Sequence, residues 1–158
     1  MTSGEIKDYT LRISQANASA LAVIIVELAL DSIESAKKAI LAGENDSFIL
    51  HSKKSERYVG ELIHSLNMED PNAKPMAGYL ITAHRNIIDS RIRLDESLIV
   101  KAEAVIKAVK PTFDRIAKED KDPAIMNNVE QVYAGLTYGK AGLNELSMGV
   151  SSNRGFKV

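Results

Sequence analysis

The most strongly patterned part of this chain is an apolar run from Ala20 to Leu30 that only Glu27 interrupts. From Asp31 onward Ile33, Ala36 and Ile40 recur at three- and four-residue steps, while Asp31, Glu34, Lys37 and Lys38 fall elsewhere. With Asn17 and Ser19 as capping residues, Ala16 to Ile40 reads as one helix of ~36 Å, buried nearly all round in its first half and wet on one face in its second. Ala42-Gly43-Glu44-Asn45-Asp46 supplies a stop and a restart, so the next helix runs antiparallel. Its seam is Phe48, Ser52, Ser55, Val59, Leu62 and Leu66, the spacing of a bundle helix, with two serines that either let a neighbour approach closely or line a groove.

Asn67 to Pro75 reads as a loop, and a third helix is expected from about Met76. Its seam is Met76, Leu80, Ala83, Ile87, Ser90 and Leu94, broadened by Ile81, Ile88 and Ile92. Asp95 caps a fourth helix carrying Leu98, Ala102, Val105, Ile106, Val109, Phe113 and Ile116; Pro111 inside it predicts a kink or a break. Lys118 to Pro123 is a charged linker, Ala124 to Ala134 reads as a short helix, and the rest is glycine-rich without a sustained period. The fold expected is all-α: an antiparallel up-down four-helix bundle with a short extra helix and an irregular C-terminal tail. The segments are 1–15, a flexible N-terminal cap; 16–120, the bundle; and 121–158, a C-terminal extension. Residues 1–15 carry only two isolated apolar handles, Tyr9 and Ile13, and read either as a frayed terminus or as a removable flap.

Composition changes this picture little. The chain has 158 residues, enough for one domain with a sizeable core, and no cysteine, which removes disulfides and thiolate metal sites. Twenty basic against 21 acidic residues make no field that would draw nucleic acid or anionic lipid. No apolar run approaches the ~20 residues of a membrane span and no leader pattern opens the chain, so a cytoplasmic protein is expected, with neither nucleic acid nor membrane as partner.

Candidate chemistry is sparse. Glu61 and His64 have the Glu-x-x-His spacing of di-iron bundles, which need that motif twice; Ile81 precedes His84 and Phe48 precedes His51 instead. No phosphate loop, nucleophile elbow or HExxH occurs, so no catalytic residue, metal or cofactor is expected. Glu27 still needs a partner or water; Arg85, Arg91 and Arg93 on later helices are the basic residues considered for it.

The region from Ala16 to Ile40 resembles the first bundle helix of the flagellar secretion chaperone FliS family. Ala16-Asn17-Ala18 stands where that family has Ala-Ser-Pro, Leu21 at its Leu, Ile25-Val26-Glu27 at its Leu-Tyr-Asp, and Ala36-Lys37-Lys38-Ala39-Ile40 at its Ala-Lys-x-Ala-Ile. Glu61 to Asn67 is similar to the end of its second helix, and Arg85 to Asp89 with the Asp95 cap to its third helix and turn, so the likeness covers residues 9–118. A second Leu-Tyr-Asp-like site reads Tyr79-Leu80-Ile81.

The resemblance implies a cytoplasmic export chaperone that binds the disordered C-terminal segment of flagellin, or of a related flagellar subunit, as a helix wrapped on the bundle, and that hands it to the export apparatus. It also implies that Tyr9, with Ile13, covers part of that surface when it is empty. The partner-binding residues expected are this cap pair, the signature remnants Val26 and Glu27, and Tyr58, Tyr79 and Ile88 as apolar positions off the main seams. The alternative is a self-associating bundle adaptor, a homo-oligomer whose tail fills the groove of its own or a neighbouring chain.

Overall fold

Several helix boundaries among the described residues have a local cause. The computed structural model describes residues 1–126, and these form α1 (Ser3–Gln15), α2 (Ala18–Leu41), α3 (Asn45–Ser65), α4 (Ala73–Arg93) and α5 (Glu96–Glu119). Thr2 and Glu5 make a reciprocal capping box that starts α1, so residues expected to be flexible form a regular helix. Asn17 caps α2 through the Ala20 amide at 2.8 Å, and Asp95 caps α5 through Ser97 at 2.8 Å. The α2–α3 turn has Gly43 at φ +75°, with Gly43 N–H donating to Ile40 O and Glu44 N–H to Ala39 O. That pattern consumes the last carbonyls of α2 and reverses the chain.

Two boundaries differ from the sequence expectation. α4 begins at Ala73 rather than Met76, because Pro75 falls in the first turn, where its missing N–H has no helical partner to lose. α5 continues through Pro111 to Glu119 without a break. Pro111 is exposed, which lets water reach the carbonyl that the proline leaves without a donor, and Lys110 bridges past it to both oxygens of Asp114 at 2.9 Å. The short helix expected from Ala124 begins with three non-helical residues, and the rest of it, like the glycine-rich tail, lies outside the described residues.

Helices α2 to α5 form a ring in which each packs against its sequence neighbours and α5 returns to α2. The start of α2 (Ala18), the end of α3 (Leu66), the start of α4 (Ala73) and the last turns of α5 (Phe113, Ile116) line one cavity at one end, so the four run up and down alternately. The core is built by Val26, Ala29, Ile33 and Ala36 from α2, Phe48, Val59 and Leu62 from α3, Leu80, Ala83 and Ile87 from α4, and Ile99, Ala102, Ile106, Val109 and Phe113 from α5. The α3 seam is the expected one, with both serines fully buried. α2 pairs most extensively with α3, and small side chains on both, Ala29, Ser32, Ala36 and Ala39 against Ser52 and Ser55, permit that closeness. Ser55 donates to Ser52 O at 3.0 Å, whereas the Ser52 hydroxyl has no partner.

One carboxylate belongs to this framework. Glu103 of α5 is buried and takes Lys107 Nζ at 2.7 Å and Lys37 Nζ of α2 at 2.9 Å. Burial is the largest single influence on its carboxyl and works to raise it, yet the two ammonium donors together hold it below the ordinary value of 4.5. Not all apolar surface is consumed: Tyr79, Ile81 and Ile92 of α4 stay exposed, and so does Leu94, which ends α4 at φ 52°.

Candidate functional site

α1 lies on the outside of the ring and touches α2. None of its residues is fully buried, so its position is set by a few directed contacts. Tyr9 Oη donates to Asp31 Oδ2 at 2.7 Å, and the Arg12 guanidinium meets Glu27 Oε2 at 2.7 Å. Tyr9 precedes Arg12 by three residues and Asp31 follows Glu27 by four, so both pairs form at once only if α1 runs antiparallel to α2. Arg12 also stands over the Tyr9 ring, 5.5 Å from its centroid, which ties the two anchors together. Burial, and then the bond to the Asp31 carboxylate, push the Tyr9 phenol up, so it remains a donor at any physiological pH.

The docked helix bridges open space. Under its first half lies a groove of about 700 Å³ bounded by Met1, Ile6, Ile25, Asp31, His51 and Tyr58, between α1, α2 and α3. Burial, with Lys54 nearby, pushes the His51 imidazole down, which favours its neutral form on that wall. Under its second half a smaller opening of about 480 Å³ runs between α1, α2 and α5, lined by Ala16, Ala20, Val23 and Lys118 among others. α1 therefore spans the face without filling it.

The segment after α5 returns to this face. Ser19 Oγ donates to Asp120 Oδ2 at 2.5 Å, Asn17 Nδ2 to Asp122 O at 3.2 Å, and Ile125 N–H to Ala16 O at 3.0 Å. Ala16 and Asn17 are the whole link between α1 and α2.

Of the residues expected to bind a partner, Tyr9, Ile13, Glu27 and Tyr58 come together on this face or beside it; Ile13 is 37% exposed and Tyr58 is half-buried. Val26 is a correction: at 0% exposed it is part of the core, because the signature register puts it on the inner side of α2, and a partner on the outer face has no access to it. Tyr79, 59% exposed, and half-buried Ile88 belong to α4, across the ring from α2, and so do not join the others. Glu27 pairs with Arg12 of α1 instead of a later arginine, and Arg91 is taken by Glu56 of α3. Arg12, Asp31 and the residues after α5 were not anticipated. Arg12 did carry a signal: it shares a helical face with Tyr9, as Glu27 does with Asp31. Glu61 and His64 are both exposed, and among the described residues no group of three or more His, Cys, Asp or Glu is placed to hold a metal ion.

The described residues thus define a helical-bundle protein: a four-helix ring with an added amphipathic helix, α1, on its outer surface. The family model described as Flagellar protein FliS matches residues 6–120, which is most of the chain and includes α1 from Ile6 onward. The protein belongs to the FliS family of flagellar export chaperones. No curated protein matches the chain. Among the described residues no helix is long and apolar enough to cross a membrane.

Proposed function

We propose that this chaperone works in the cytoplasm, holding the amphipathic C-terminal segment of flagellin or of a related flagellar subunit as a helix on the outer face of α2 and α3, where α1 sits in its absence. The observation that carries this reading is α1 itself. An amphipathic helix with no fully buried residue, held by Tyr9–Asp31 and Arg12–Glu27 over grooves it leaves unfilled, occupies the place and supplies the chemistry that a client helix would. A client suited to this face offers a donor or cation to Glu27 and Asp31, one turn apart, and an aliphatic stripe to Ile25 and Tyr58. Covering such a stripe keeps the subunit from polymerising early and needs no catalysis.

Titration of the full-length protein with a flagellin C-terminal peptide, by calorimetry with far-ultraviolet circular dichroism, tests the reading. Binding accompanied by a gain in helix content is expected. Absence of heat and of added helicity at tens of micromolar peptide would remove the proposal.

A further inference from the structure

We propose that the strap Asp120–Ile125 is a latch on the α1–α2 hinge, so that the protein's own C-terminal side sets how readily α1 leaves the client face. The inference rests on the reading of that face as the client site. The strap itself, apart from Asp120, lies beyond the span matched by the family model.

The geometry makes the case torsion by torsion. For α1 to swing away, backbone rotation has to occur within the two-residue link, at Ala16 or Asn17. Asn17 is already tied to α2 through its side chain, which accepts from Ala20 N–H, and its other side-chain group donates to Asp122 O. The peptide plane between Ala16 and Asn17 is held from outside by Ile125 N–H on Ala16 O at 3.0 Å. With that plane fixed to the strap and Asn17 fixed to α2, only the torsions of Ala16 remain, and Ala16 is buried at 5% exposed with its N–H on Ile13 O. The strap is in turn anchored to the start of α2 by Ser19 on Asp120, whose carboxyl this bond holds below its ordinary value, and it is stiffened by Asp122 N–H on Asp120 Oδ1. While the strap holds, α1 can therefore turn only about buried Ala16, and loosening the strap returns the Asn17 φ torsion to the hinge.

The test uses full-length protein with Ser19→Ala, which removes the hydroxyl donor without harming a helix start, and Ile125→Pro, which removes the N–H that grips Ala16. Hydrogen exchange of α1 amides is read against those of α2 to α5. Each substitution is expected to speed α1 exchange about fivefold, and the pair about 25-fold, with the ring unchanged. Unchanged α1 exchange in the double variant overturns the latch. So does equal acceleration in all five helices, which would make the strap a general stabiliser. The flagellin C-terminal peptide separates the two levels of the argument. Faster α1 exchange with tighter peptide binding supports both, faster exchange with no binding by any form leaves the latch and removes the client site, and binding with unchanged exchange does the reverse.

Discussion

Weakening the cap from its own side should make the chaperone bind its client more tightly. The perturbation is Tyr9→Phe with Arg12→Gln, both on α1, which leave Glu27 and Asp31 intact for a client. The Arg12–Glu27 pair has side chains 39% and 25% exposed, so solvent screening limits it to about 0.7 kcal/mol. The Tyr9 hydroxyl on the Asp31 carboxylate, also exposed, is worth about 1 kcal/mol, and Arg12 over the Tyr9 ring adds a few tenths that both substitutions remove. The total of about 2 kcal/mol corresponds to about a thirtyfold rise in the ratio of open to docked α1. Because α1 buries no residue fully, these anchors are a large part of what holds it, and a resting open fraction of about 3% follows from a docking free energy of that size. The open fraction then rises to about one half, and a client that needs the vacated face gains about fifteenfold in apparent affinity, against a ceiling of about thirtyfold for an α1 that is always open. Calorimetric titration of a flagellin C-terminal peptide measures the gain, and thermal unfolding checks that the ring is unaffected. Unchanged or weaker binding by the double variant, with α1 exchange clearly faster, would show that cap and client do not share the face. Glu27→Gln opens the cap too but also alters the client surface, so it should gain less than Arg12→Gln.

Further outcomes concern the bundle that carries the face. The Glu103 carboxyl is held below its ordinary value of 4.5 in the folded chain, so its contribution is present above that value and is lost as pH falls through the folded one. Glu103→Gln should therefore cost about 2 kcal/mol in urea unfolding at pH 7 and progressively less as the pH drops below 4.5; a cost independent of pH would refute the pairing with Lys37 and Lys107. Ser52→Ala removes a buried hydroxyl without a partner and should stabilise the protein by about 1 kcal/mol, a rise of about 3 °C in Tm; a fall would mean the hydroxyl is satisfied in solution.

What the sequence revealed and what it hid divide along a physical line. The α3 seam from Phe48 to Leu62 was legible because helical burial repeats every few residues along the same chain, and Gly43 and Asp95 mark their turns by backbone demands that are equally local. α1 was read as flexible because one narrow apolar stripe with two handles carries little weight, although Thr2 and Glu5 had already written its start. Lys107 sits one turn after Glu103 on its own helix, but the partners on other helices, Arg12 for Glu27 and Lys37 for Glu103, were not singled out. Any of several cations would satisfy a carboxylate equally well, so charge along the chain carries no period from which to find the mate, and Glu27 was matched to later arginines when Arg12 held it. That indifference is also what the proposed function requires. Val26, fixed by shape within the core, has one possible environment, whereas Glu27 and Asp31 accept any donor delivered at the right turn spacing. The contacts hardest to assign from sequence are thus the ones another helix can take over from α1, and a face made of them can be held closed by the chain's own residues and still be given up to a client.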